Sequence, residues 1–269
     1  MDATGPGDHD QVAEIFAKLA VAAGEIVLRH YCRGVPVRTK ADSSPVTRAD
    51  EETEAFLLAE LAKALPGMPV IAEEKAARGD LPACGSAFVL VDPLDGTKEF
   101  LRENGEFTVN LALIEGGAPR AGAVYAPVSG RLWAGGDTAW VATVPAGGDL
   151  STAAGRHVIR ARVPSQAGLV VLESRSHPDP RLEQHLATVR VVERRKAGSS
   201  LKFCLIAEGE ADYYPRFGPT MEWDTAAGDA VLRAAGGLTE TLDGQPLRYG
   251  KALAGYHNPD FVARGARPV

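Results

Sequence analysis

The chain reads as a mixed α/β protein of two sub-domains that share a cleft. Three observations lead there. Two helix-length amphipathic stretches open the sequence, short apolar segments separated by turn residues follow to about residue 145, and strand-length and helix-length segments alternate beyond it. At roughly 150 residues per domain, 269 residues make one large domain or two small ones. The Pro145-Ala-Gly-Gly-Asp149 stretch is the best linker, which divides the chain into 10–145 and 146–269.

Taken in order, residues 1–9 read as a lead-in without regular structure. From Asp10 to Tyr31 the apolar positions Val12, Ile15, Phe16, Leu19, Ala22, Ile26 and Val27 recur at helical spacing. A second helix is expected over Arg48–Leu65, with Phe56, Leu57, Leu58 and Leu61 facing the core and Pro66-Gly67 ending it. Short apolar runs predict strands at Pro69–Ala72 and Ala87–Val91, the latter stopping at Asp92-Pro93. Phe107–Ile114 and Gly122–Tyr125 read as paired strands across a Gly-rich turn, and Arg131–Trp133 and Thr138–Val141 as two more. Downstream, strands are expected at Gly168–Leu172 and Ala211–Tyr214, and helices at Arg181–Ala187, Ser199–Glu208 and Thr225–Ala235.

Composition removes several classes. Hydrophobic residues at 45% and charged residues at 24% are ordinary for soluble globular proteins, and such a chain can bury a core without disulfides. Cys32, Cys84 and Cys204 are odd in number and show no CxxC spacing, so they read as reduced thiols of a cytoplasmic protein rather than a disulfide set or zinc site. No apolar run approaches the ~20 residues that span a bilayer, and the acidic, Gly-rich start is unlike a signal peptide. No basic amphipathic helix argues for membrane attachment, which leaves only weak peripheral association open. Lys and Arg number 29 against 35 Asp and Glu, and 29 − 35 = −6 argues against a nucleic-acid binder.

Three acidic clusters sit where predicted elements end: Glu73-Glu74, Asp92-Pro-Leu-Asp-Gly-Thr97 and Trp223-Asp-Thr-Ala-Ala-Gly228. Hard cations such as Mg²⁺ take carboxylate and carbonyl oxygens. Within the second cluster Pro93 restricts one φ and Gly96 permits a sharp turn that aims Asp92 and Asp95 at one point, with the Leu94 carbonyl between them. Two carboxylates forced into one turn repel unless a cation compensates. Each piece also has a plain structural reading: Glu73-Glu74 as a solvated loop, Asp-Gly as a turn, Asp224 as a helix N-cap. Thr47-x-x-Asp50 fits a capping box, which spacing alone favours over the other reading, an Asp50 that works with Thr97 on a water.

Taken together, Pro45-Val-Thr-Arg-Ala-Asp50, Ala72-Glu-Glu74, Val91-Asp-Pro-Leu-Asp-Gly-Thr-Lys-Glu-Phe100 and Trp223–Gly228 resemble the lithium-sensitive, magnesium-dependent phosphatase superfamily of inositol monophosphatases and fructose-1,6-bisphosphatases. With Gly105–Asn110, Val124–Pro127, Ser174–His177, Gly198–Cys204 and Tyr214–Thr220 added, the chain is similar over about residues 12–260 to the bacterial 3′(2′),5′-bisphosphate nucleotidases. The resemblance implies a layered αβαβα sandwich. It implies Mg²⁺ (two or three ions) on Glu73, Asp92, the Leu94 carbonyl, Asp95 and Asp224, with Asp50 and Thr97 activating the water. Ala72 departs from the Ser or Gly that relatives often carry there. The implied substrate is a small nucleotide, adenosine 3′,5′-bisphosphate (PAP), with its phosphosulfate analogue PAPS as a second.

Around that substrate, the Gly96 and Thr97 amides and the helix start at Asp224 would donate to phosphate, while Lys202 and Arg216 would hold the 5′-phosphate. Isolated Lys and Arg are also ordinary solvated charges. Ser199 and Ser200 suit either a helix N-cap or phosphate contact. His177 suits capping or packing better than catalysis, and Tyr214 and Phe217 suit core packing as well as an adenine contact. The competing readings are an inositol or sugar monophosphatase with the same metal centre, and a non-catalytic nucleotide- or metal-binding module.

Overall fold

The computed structural model describes residues 8–32, 37–39 and 45–267. The lead-in expected over 1–9 lies outside them except for Asp8 and His9: His9 already opens α1 (His9–Tyr31), and the Asp8 side chain caps that helix by accepting from Gln11 N. A short antiparallel pair, β1 (Val37–Thr39) and β2 (Pro45–Thr47), precedes α2 (Arg48–Ala64). The seven-stranded sheet follows: β3 (Val70–Ala72), β4 (Ala87–Asp95), β5 (Thr108–Glu115), β6 (Ala118–Ala126), β7 (Arg131–Gly135), β8 (Ala139–Thr143) and β9 (Ala154–Val158), in that spatial order. Only β3 and β4 run parallel; between them comes α3 (Glu73–Ala77), and after β4 comes α4 (Thr97–Leu101).

The second sheet is built from β10 (Leu169–Ser174), β11 (Val191–Ala197), β12 (Tyr213–Arg216), β13 (Leu238–Thr241) and β14 (Phe261–Arg264), in the order β11-β10-β12-β14-β13. The remaining helices are α5 (Arg181–Leu186), α6 (Leu201–Ala207) and α7 (Glu222–Ala234). α1 and α2 cover the outer face of the large sheet, α6 and α7 lie between the sheets, and α5 covers the small sheet through His185 stacked on Tyr213. This is the αβαβα sandwich.

Strand parity builds both cores. Val89, Val91, Val109, Leu111 and Leu113 face α1 and pack with Phe16, Ala20, Val27 and Leu57. Their neighbours Phe88, Leu90, Ala112 and Ile114 face the other way, toward Phe203, Ala227 and Val231. Each such large side chain contributes roughly 1.5–3 kcal/mol when buried. α7 lies close enough on the large sheet that a Cβ on Gly122 would stand 2.8 Å from both Ala227 O and Ala230 Cβ.

Some boundaries differ from the sequence reading. β4 continues through Asp92-Pro93 to Asp95, because its partner β5 goes on pairing across a register shift. The large sheet also continues past the linker expected at 145–149, taking in β9, so the expected 145/146 boundary cuts through a sheet. That stretch is a turn anchored to α1, with Gly147 N donating to Val21 O at 2.9 Å.

Candidate active site

The site forms where both sheets present the ends of their strands. Asp92 lies on the same face of β4 as Phe88 and Leu90 and stands directly opposite Asn110 of β5. Parallel pairing of Ala72 with Val91 sets Glu73, the first residue of α3, alongside Asp92. The turn then folds back: Leu94 N donates to Asp92 Oδ1 at 3.0 Å, and Gly96 takes φ +92°, which favours glycine. Thr97 follows as the first residue of α4.

Asp50 sits behind this turn, buried. Its Oδ2 accepts from Thr47 N at 2.8 Å and from Thr47 Oγ1 at 2.6 Å, the expected capping box. Its Oδ1 faces Thr97 Oγ1, a long donor contact of 3.4 Å. Asp50 thus closes the capping box with one oxygen and faces the Thr97 hydroxyl with the other. Asp224 is not an N-cap. α7 begins at Glu222, so Asp224 lies in its first turn, where Oδ2 accepts from Met221 N at 2.9 Å.

Glu73, Asp92, Leu94, Asp95, Gly96, Thr97, His177, Ser199, Lys202, Arg216 and Asp224 line one cleft, with Asp50 and Ser200 buried just behind it. Desolvation first, and then the charges of Glu73, Asp95 and Asp224, raise the Asp92 carboxyl well above its usual range. Asp224 is raised well above it in the same way. Asp95 is pushed up to about 6 by desolvation, against the opposing pull of Lys202 and of the Ser200 amide. Among the described residues no three Asp, Glu, His or Cys side chains converge as a preformed cation cage. Asp92 Oδ1 accepts from Leu94 N, and Asp224 Oδ2 from Met221 N.

Cations line the same cleft. Lys202 and Arg216, at 3% and 6% exposure, are not solvated surface charges. Lys202 Nζ donates to Ala197 O at 3.2 Å and to Ser199 O, and burial lowers its pKa to about 8. Arg216 Nη2 donates to Pro219 O at 3.1 Å, while its buried Nε has no partner. Ser200 is the N-cap residue of α6, yet its hydroxyl makes no cap. It reaches Asn110 Oδ1 and Thr108 Oγ1, each at 2.8 Å. Ser199 is held at φ +40°. His177 is at the lip; partial desolvation and then the charges of Arg216, Lys98, Lys202 and Arg102 lower its pKa to about 4.

Tyr214 lines the cleft with Phe203 edge-on to it, whereas Phe217 lies in the adjoining depression, packed on His185 and beneath Arg181. Sequence reasoning missed Asn110, Lys98, Glu99 and Ser176. Asn110 is brought to the site only by the register of β4 on β5. Lys98 and Glu99 follow Thr97 on a one-turn helix too short for periodicity to expose.

A family model described as the inositol monophosphatase family matches residues 8–264. The 3′(2′),5′-bisphosphate nucleotidase CysQ of Escherichia coli strain K12 is 42% identical over 255 residues, 94% of this chain and 97% of that protein. The nucleotidase CysQ of Aggregatibacter actinomycetemcomitans is 32% identical over 261 residues, covering 91% and 89% of the two chains. Among solved structures, CysQ from Bacteroides thetaiotaomicron superposes with a TM-score of 0.77 at 35% identity, covering 96% of this chain and 98% of that one. An IMPase of Thermotoga maritima, at 23% identity and a TM-score of 0.74 over 95% and 92% of the chains, shares the fold.

Proposed function

The chain belongs to the inositol monophosphatase family, and from that membership we propose that it is a 3′(2′),5′-bisphosphate nucleotidase, hydrolysing the 3′-phosphate of PAP to leave AMP and phosphate. PAPS is a second substrate of the same kind. The observation that carries this reading is a single cleft lined both by the carboxylates Glu73, Asp92, Asp95 and Asp224 and by His177, Lys202 and Arg216. A substrate with one phosphate needs only the carboxylates and their cation. Identity to nucleotidases along nearly the whole chain points the same way.

The donor set fits Mg²⁺: four carboxylates, the Leu94 carbonyl, and buried like charges that a hard cation would relieve. When bound, Mg²⁺ neutralises the scissile phosphate, acidifies a water and stabilises the leaving oxygen. Thr97 Oγ1, donating to Asp50 Oδ1, is left to accept from the attacking water and orient it. One water proton passes by way of Thr97 to Asp50 as the water oxygen bonds to phosphorus. The bond from phosphorus to the ribose 3′-oxygen breaks, and that oxygen takes a proton from solvent water to leave as a hydroxyl. The Gly96 and Thr97 amides hold the reacting phosphate, and Lys202, Arg216 and the Ser199–Ser200 loop hold the 5′-phosphate.

No helix among the described residues is long and apolar enough to cross a membrane. All three cysteines are free thiols, in keeping with a cytoplasmic setting. Phosphate release from PAP, PAPS and inositol 1-phosphate, measured side by side with Mg²⁺ and with chelator, tests the reading. Mg²⁺-dependent release strongly favouring PAP or PAPS supports it. Preference for inositol phosphate keeps the metal site and removes the nucleotide assignment, and release that survives chelation removes the metal.

A further inference from the structure

Lys98 stands out among the cations of the cleft. Lys202 spends two of its three donors on the Ala197 and Ser199 carbonyls, and Arg216 gives one to Pro219 O. Arg102 donates to Ser176 Oγ at 2.8 Å, and Arg175 is paired in two-point contact with Glu106. The Lys98 ammonium lines the cleft and is exposed, and its hydrogen-bond partner among the described residues is the ring nitrogen His177 Nε2 at 3.0 Å. A lysine can only donate, so Nε2 accepts and the imidazole is neutral, its proton on Nδ1. The surrounding positive charges favour that neutral form.

The two residues come from opposite lips. Lys98 is the second residue of α4, next to Thr97 and the acidic turn. His177 follows β10 of the other sheet. A flexible lysine loses much rotamer freedom when an anion holds it, so a neutral acceptor that already holds it over the cleft lowers that cost. A terminal phosphate offers three oxygens and nearly two negative charges. Lys202 keeps one donor and Arg216 keeps four, and the Lys98 ammonium adds a third cation on the opposite lip.

Resting on the nucleotidase reading, we propose that Lys98 is a specificity-determining residue that binds the second phosphate of the nucleoside bisphosphate, and that His177 is the positioning residue that holds it over the cleft. The ammonium exchanges the imidazole for a phosphate oxygen when substrate enters. Lys98 therefore favours a nucleotide with a 5′-phosphate over one without it.

The experiment uses the purified full-length enzyme with Mg²⁺ and compares PAP with 3′-AMP, which carries the reacting phosphate and lacks the other. Lys98 is exposed, so Lys98→Met removes no packing. The variant is expected to lose about tenfold or more in kcat/KM for PAP through KM, as for loss of one charge-assisted hydrogen bond, and less than about threefold for 3′-AMP. His177→Ala should weaken PAP several-fold in the wild type and add nothing in the Lys98→Met background, because its effect passes through Lys98. Equal losses on both substrates overturn the role of Lys98, and additive effects overturn that of His177.

Calorimetric binding of AMP, against adenosine as the uncharged control, reads the same contact without turnover. A wild type that hydrolyses neither nucleotide but binds AMP in a Lys98-dependent manner would sink the nucleotidase reading and leave this inference standing. AMP affinity unchanged by Lys98→Met would sink the inference alone.

Discussion

The backbone amide of Ser200 donates to Asp95 Oδ2 at 2.6 Å, so the acidic turn of one sheet and the cationic loop of the other meet in a single hydrogen bond. Asn110 braces both sides: its Nδ2 approaches Asp95 Oδ2 at 3.4 Å, and its Oδ1 accepts from Ser200 Oγ at 2.8 Å. Two residues farther on, Lys202 is near enough for its charge to act on Asp95. The carboxylate turn and the loop that leads to Lys202 are therefore mechanically joined.

That junction predicts how Mg²⁺ stabilises the protein. Folding raises Asp95 to about 6, so its ionised form is disfavoured in the fold and the associated stability is lost as pH rises through about 6. A bound cation reverses this by favouring the ionised form. Mg²⁺ at a hundred times its Kd should add about 2.7 kcal/mol at pH 7.5, raising Tm by several degrees, and much less at pH 5. Thermal melts with and without Mg²⁺ at both pH values check this; an equal shift at each would contradict it.

Asp224→Asn removes one charge from a crowded acidic set. Turnover should fall by at least ~10²-fold, as when a transition-state electrostatic partner is lost. In chelator, the same variant should melt higher than the wild type, because desolvation and like charge both oppose ionisation of Asp224. Rates near those of the wild type, or a lower melt in chelator, would remove Asp224 from the metal set.

Thr97 is separable from its packing. Thr97→Val keeps the shape and loses the hydroxyl that faces Asp50. Its kcat should fall roughly 10²–10⁴-fold with little change in KM, the range for loss of proton-transfer assistance. Thr97→Ser, which retains the donor, should recover most of the rate.

Lys202 is expected to set an upper pH limit on substrate binding. Its pKa is lowered to about 8, so the charge present below that value is lost as pH rises through it. KM for PAP should climb above pH 8, and the climb should vanish in Lys202→Arg, whose guanidinium stays charged. A wild-type KM that is flat to pH 9.5 would show that the Lys202 charge does not hold the nucleotide.

Gly122 tests the packing that brings α7, and with it Asp224, onto the sheet. Gly122→Ala forces a Cβ to within 2.8 Å of Ala227 O and should cost about 1–3 kcal/mol. Gly85→Ala, with no atom within 4 Å of the added carbon, is the control and should leave Tm unchanged.

The sequence by itself determined the elements whose chemistry is local. Helical periodicity found α1 and α2 to within a residue or two, because their apolar faces cover a sheet along their length. The acidic turn at 92–97 was legible because Pro, Gly and two carboxylates within six positions leave few conformations. β9 and β11 escaped notice: Ala-Gly-Arg-His-Val and Val-Val-Glu-Arg-Arg-Lys-Ala are exposed edge strands, paired on one side and carrying no apolar alternation.

Only the tertiary structure decided which residues meet. Nothing in a linear reading puts Asn110 opposite Asp92, Ser200 against Asp95 or Lys98 against His177, since each pair is joined by a strand register or by the approach of two sheets. Likewise, burial converted Lys202 and Arg216 from ordinary surface charges into cations held inside the cleft. Residue chemistry and turn geometry are encoded within a few positions of the chain. Proximity is fixed by the packing of layers, where side chains far apart in sequence share one solvent-excluded space.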